Sequence, residues 1–205
     1  MPVFFICFIL FVLWIHVKYK QDNKGKTTWD EEFWEREKEA NFARKKNIDD
    51  LDYIVIPETD LPFQDDVTSE EKHLQDNVRK LLSKKMLNLS GQSNTDLKLA
   101  YGTANFPELS EYDQNFNDLL RSLNLWGSYL HKNVEGSNPR ALQILEYAIS
   151  LGSDIMETYR CVAEIYLADN NIPKIYELME QVEESDFFMK DSICRQLKEV
   201  IRSYH

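Results

Sequence analysis

The sequence predicts an all-α protein: an N-terminal transmembrane helix followed by an array of helical hairpins, with one extended segment packed on it. Three observations carry that reading. Residues 2 to 17, PVFFICFILFVLWIHV, hold no formal charge and are followed by the lysine-rich KYKQDNKGK. The last ninety or so residues repeat an apolar pattern at a spacing of 34. One run, Tyr53-Ile54-Val55-Ile56, is β-branched and aromatic, and no second run of that kind exists to make a sheet with it.

The apolar run comes first. As a helix it rises roughly 24 Å against a hydrocarbon slab of roughly 30 Å. Trp14 and Tyr19 suit the headgroup level, and Lys18 and Lys20 reach back to it, so a modest mismatch is absorbed. A cleaved signal peptide is the competing reading, but no basic residue precedes the run and WIHVKYK offers no small-residue cleavage site. Residues 1–20 are therefore expected to be an uncleaved anchor with its flank. Lys18, Lys20, Lys24 and Lys26 all follow the run, which places the C-terminal side in the cytoplasm by the positive-inside bias. The expected location is the cell membrane, single-pass, with a cytoplasmic body. Three scattered cysteines, Cys7, Cys161 and Cys194, fit a reducing compartment better than a disulfide framework.

Four of the 24 basic and one of the 35 acidic side chains fall in the first 26 residues, which leaves the remainder at −14. Such a body repels polyanions, and no nucleic acid is expected as a partner. The juxtamembrane lysines favour anionic lipid instead, by about 1 kcal/mol each near the surface.

Residues 21–67 are expected to hold a linker, a charged helix and the extended strap. Thr28 and Glu31 stand at capping-box spacing and open a helix to about Asp50, with Trp29, Phe33, Ala40 and Ala43 on one stripe. Trp34 and Phe42 lie off that stripe. The aromatic residues are expected to dock the helix onto the body, with headgroup contact as the alternative. From Ile48 to Phe63 the chain reads as extended. Pro57 stops the β-branched run, and Pro62 holds Leu61 extended. Ile54, Ile56, Leu61 and Phe63 would each forfeit roughly 1.5–3 kcal/mol in water relative to full burial, so they are expected to strap along the helices of the C-terminal body. Asp49, Asp50, Asp52, Asp65 and Asp66 read as solvated turn residues.

Residues 68–205 read as an α-helical domain. Thr68 and Glu71 form a second capping-box pair ahead of a stripe of Leu74, Val78, Leu81, Leu82 and Leu89. A short helix opens at Thr95, and a longer one runs from about Ser110 to about His131 through Phe116, Leu119, Leu120, Leu123 and Leu125. After it, Ala141, Leu145 and Ala148 behind Pro139 recur as Ile175, Met179 and Val182 behind Pro173. Leu123, Trp126, Gly127 and Leu130 share their steps with Tyr159, Val162, Ala163 and Tyr166, and Ile193, Leu197 and Val200 continue the register.

Large, large, small, large on one helix and small, large, small on the next lets antiparallel helices cross closely. That pattern resembles the tetratricopeptide repeat, with two degenerate units over about 120–187 and a terminal helix. Ile175 and Val182 replace small residues, and Gly152 or Phe187 stands where a proline commonly closes the unit. With WEREKEANFARKK, DYIVIP, LPF and NTDLKLAYGTANFPELSEYDQNF added, the whole chain resembles a family of small, single-span, uncharacterised membrane proteins of Gram-positive, Firmicutes-type bacteria that end in such helices. The resemblance implies architecture and compartment, and no activity.

It also implies a concave face lined by the first helix of each pair. By register that face carries Arg121, Asn124, Ser128 and His131, then Glu157, Arg160 and Glu164, then Asp191, Cys194, Lys198 and Arg202. A lysine-and-asparagine clamp for a peptide carboxylate does not map onto it, because Asn124 and Ser128 stand at those positions. No histidine pair or Cys-x-x-Cys spacing suggests a metal, no G-x-S-x-G elbow or glycine-rich phosphate loop is present, and Cys161 sits on an apolar stretch. No cofactor and no catalysis are expected. The function expected is that of a membrane-tethered adaptor binding a protein or peptide partner. A structural subunit acting through its span is the first alternative, and an enzyme of unknown class the second.

Overall fold

The computed structural model describes residues 2–203, without the side chains of 2–7, 10 and 19–28. Among the described residues the fold is all-helical, without strands. The chain forms two compact units, one of residues up to Leu51 with Leu89–Leu109, the other of Asp52–Asn88 with Ser110 onward. The sequence suggests divisions in succession at residues 20 and 67. The contacts instead assemble discontinuous units, because pairing between distant segments decides which residues share a core.

In the first unit, α1 (Pro2–Asn41) is one uninterrupted helix. This corrects the expected linker and the helix start at Thr28. No proline interrupts residues 18–41, and the single Gly25 costs only about 1 kcal/mol relative to alanine, less than a new nucleus would. The helix also ends at Asn41 rather than near Asp50. Its last turn tightens through Phe42 N to Glu39 O and Ala43 N to Ala40 O, and Asn47 Oδ1 then accepts from Asp49 N at 2.9 Å in a local turn that competes with helix. No described helix is long and apolar enough to cross a membrane. Much of the expected anchor lies outside the described side chains, as do Tyr19 and Lys20 of its flank. Trp14 is exposed, and Lys18 Nζ stands 5.8 Å from its ring centroid.

Ser93 and Asp96 cap α3 (Asn94–Tyr101) with a complete capping box, and α3 lies against the last turns of α1. Ala40 is fully buried there. Around it Arg36 pairs with Asp96 at 2.5 Å, Thr95 donates to Glu37 at 2.6 Å, and Lys98 bonds both Glu37 and Asn41. These donors, Lys98 first, hold the Glu37 carboxyl below its usual range. Gly102 follows at φ +89°. A Cβ there would sit 2.3 Å from Arg44 O, so the return of the chain past Arg44 requires glycine. Thr103 Oγ1 then donates to Ala40 O, and Asn105 Nδ2 to Lys46 O and Tyr101 O.

Docking of α1 by its aromatic residues is a second correction. Trp29, Phe33, Trp34 and Phe42 are 79%, 56%, 65% and 80% exposed. The reason is length: eight residues of α3 span about 12 Å and cover only the end of α1.

The second unit opens with the strap. Ile56 and Leu61 are buried, and Ile54 and Phe63 pack half-buried against the same core. A single 3₁₀ turn, Glu58–Asp60, bends the path, and Leu61 returns to extended backbone at φ −113° and ψ 143°. Then α2 (Ser69–Leu82) starts on Thr68, whose hydroxyl accepts from Glu71 N at 3.2 Å. The chain leaves the helix at Ser83, so Leu89 is not on its stripe. Met86 is buried beside the strap, its carbonyl accepting from Ile54 N at 3.0 Å.

The remaining helices are α4 (Phe106–Asn133), α5 (Asn138–Ser150), α6 (Met156–Ala168), α7 (Ile172–Glu184) and α8 (Lys190–Ser203). Pro139 and Pro173 occupy the first turns of α5 and α7, where a missing N–H costs nothing. The apolar residues of the 34-residue pattern fill one core, from Leu123 and Trp126 through Leu145, Tyr159 and Ile175 to Ile193 and Leu197. Close crossing depends on Gly127: a Cβ there would meet the buried Leu145 side chain at 2.6 Å. Tyr159 locks the turn before its own helix by donating to Ser153 O at 2.8 Å.

Candidate functional site

Two polar arrangements in the second unit stand out, one on the first helices of the hairpins and one around the strap. On the first helices the register of about 34 residues becomes a ladder of bonds between α4 and α6. Thr158 donates to Asn124 Oδ1 at 2.9 Å, Ser128 Oγ lies 3.4 Å from Cys161 Sγ, and His131 Nε2 lies 3.2 Å from Glu164 Oε2. His131 Nδ1 meets Asn138 at 3.0 Å. Arg160 bridges Glu157 and Glu164 along α6, at 2.6 and 2.5 Å, and Lys132 reaches Glu157 at 2.5 Å.

Of the residues expected on this face, Asn124, Ser128, His131, Glu157, Arg160 and Glu164 therefore converge, Ser128 buried rather than exposed. Arg121 stands apart, paired with Asp118 on its own helix at 3.3 Å. Lys198 and Arg202 are exposed on α8, and neither forms an ion pair among the described residues. Cys194 is buried, with its thiol 3.9 Å from Met179 O, and so does not line an open groove. Lys132 and Thr158 complete the network without having been singled out by the pattern. Both sit one position from a residue on the expected face.

The guanidinium of Arg160, then the Lys132 ammonium, hold the Glu157 carboxyl down to about 2 from an ordinary 4.5. A carboxyl with a depressed folded pKa contributes stability that is full above its unfolded value and lost as pH falls toward its folded one. Acid denaturation of the wild type is expected to include this loss between about 4.5 and about 2. Glu157→Gln should flatten that part of the urea-midpoint curve. A variant whose curve overlays the wild type would show that the pair does not stabilise the fold.

Around the strap, side chains of α2 and α5 address its main chain. Arg140 Nη2 donates to Pro62 O at 3.3 Å, Gln143 Nε2 to Asp60 O at 3.2 Å, and Gln64 N to Gln75 Oε1 at 3.2 Å. Tyr147 donates to the Asp60 carboxylate at 3.3 Å. The Phe63 ring stacks on Trp126 at 5.0 Å, with the Arg79 guanidinium 4.4 Å from its centroid. Beneath lies Glu71, 2% exposed, which pairs with Arg140 and accepts from Gln75 Nε2 at 3.0 Å and Trp126 Nε1 at 3.4 Å. The expected capping box is thus half made, because the carboxylate turns inward. Arg140, Gln143 and Tyr147 follow Pro139 at helical spacing on one face of α5, a signal the sequence does offer.

Both described thiols are pushed above the ordinary range by burial, which disfavours the nucleophilic thiolate. Among the described residues no group of three His, Cys, Asp or Glu side chains is placed to hold a metal ion. A hollow of about 380 Å³ lies between α5, α6 and α7, and the Tyr166–Glu146 and Lys174–Glu177 pairs on its wall already satisfy one another. No protein-family profile, curated protein or solved structure matches this chain.

Proposed function

We propose that the protein is a membrane-tethered adaptor with tetratricopeptide-like helices. In this reading the apolar run at Pro2–Val17 anchors it, its basic flank keeps the body at the cytoplasmic face, and α4, α6 and α8 receive a protein or peptide partner. The supporting observation is the ladder between α4 and α6. It holds charged, half-exposed side chains of both signs in fixed positions, so little side-chain entropy remains to be lost on binding. The strap gives further support, since the helices of this body hold an extended segment through its main-chain groups.

Partners co-purified from native membranes should survive exchange of Pro2–Val17 for an unrelated apolar helix. They should be lost on Arg160→Glu and on Lys198→Glu with Arg202→Glu, variants whose melting is checked alongside. Loss on exchange of the run, with retention in both charge variants, would point to a structural subunit acting through its span and would sink the adaptor reading.

A further inference from the structure

Three exposed aromatic residues in the C-terminal half of α1 are grouped. Trp29 and Phe33 are one helical turn apart, and Trp34 meets Phe33 edge-on at 5.4 Å between ring centroids. All three are more than half exposed. Trp29 and Phe33 lie on the azimuth of Ala40, so they continue, toward the N-terminus, the face on which α3 rests. Asp30 lies beside the ridge, Glu31 and Glu32 flank it and Glu35 lies behind it, and none of these four carboxylates pairs with a described residue, whereas Arg36, the cation on the azimuth of Trp29, is taken up by Asp96. An apolar ridge with an acidic border is therefore left open.

Three kinds of surface could cover it. Anionic lipid is out of reach on the tethered reading, on which this inference rests. Trp29 stands twelve residues beyond Val17. On a continuous helix that is about 18 Å, or about 14 Å at a steep tilt, against a headgroup layer of roughly 5–8 Å. A second copy meeting this face across a two-fold axis would set Asp30, Glu31 and Glu32 against themselves. A helix with an apolar stripe and a Lys/Arg border meets both the ridge and the charge. Lys/Arg-rich segments flank the cytoplasmic ends of membrane helices.

We propose that the Trp29, Phe33 and Trp34 face of α1 docks a basic amphipathic helix, the cytoplasmic juxtamembrane segment of another membrane protein. The test uses the full chain in nanodiscs of phosphatidylcholine, titrated into fluorescently labelled synthetic helices of Leu with Lys and of Leu with Glu in the same apolar pattern. Anisotropy should show saturable binding of the Lys helix alone. Trp29→Ser with Phe33→Ser and Trp34→Ser should weaken it at least tenfold with melting unchanged, and Asp30→Asn with Glu32→Gln should reduce its salt dependence.

Equal binding to the triple variant would reduce the effect to the overall acidity of the chain and overturn the proposal. So would self-association, or preference for phosphatidylserine nanodiscs, lost in the triple variant, since the occupant would then be a second copy or the bilayer. Wild-type tryptophans already shielded from acrylamide to the same degree as in a chain lacking Trp29 and Trp34 would show the face covered, and would overturn the proposal too. A chain that binds the Lys helix but is not retained in membranes sinks the tethered reading alone.

Discussion

Arg140→Met is expected to destabilise the protein by about 3–5 kcal/mol, the range for removing one partner of a buried ion pair. Glu71 is 2% exposed and Arg140 18%. Without the guanidinium the carboxylate keeps only the neutral donors Gln75 Nε2 and Trp126 Nε1. Pro62 O loses its donor at the same time. The double variant Glu71→Met with Arg140→Met should cost less than the single one, because two buried charges leave together and two apolar side chains of similar length fill the space. Urea unfolding at constant slope would measure both. A single variant with an unchanged midpoint, or a double variant at least as costly as Arg140→Met alone, would show that the charges are not coupled.

Leu61→Asp with Phe63→Asp is expected to be at least as damaging. Truncating a buried leucine or phenylalanine alone costs about 2–5 kcal/mol, and a carboxylate in the same place adds an unpaired charge. Leu61 is buried in the core, and Phe63 lies between Trp126 and Arg79. Melting of the full chain should fall clearly. Unchanged melting with lost partner binding would show that the segment is an exposed recognition motif rather than part of the body.

The hairpins are legible in the sequence because proline at a helix start and a 34-residue apolar register are local or periodic signals. The strap is legible for a different reason: four apolar residues with no second strand have only helices to lie on. The Glu71–Arg140 pair is not legible, since 69 residues separate its partners and Glu71 equally suits a helix cap. The continuity of α1 is obscured in the same way, as Thr28 with Glu31 has the spacing of a start signal that an established helix overrides. The exposure of Trp29, Phe33 and Trp34 depends on how far α3 extends, which no residue of α1 encodes. On the candidate face the register brings Asn124, His131, Glu157, Arg160 and Glu164 to one place. It does not reveal that they bond to one another.

In a helix that runs without a break from Pro2 to Asn41, residue count is also compass bearing. Each residue added between Val17 and Trp29 would turn everything beyond it by about 100° and lift it by about 1.5 Å. Seven added residues nearly restore the original direction, some 20° short of two full turns, while two swing Ala40 and the α3 that rests on it to the far side. The direction α3 faces relative to the apolar run is thus written in the spacing of a segment whose own side chains need specify nothing. A twist applied at one end of α1 would be delivered, as in a drive shaft, at the other.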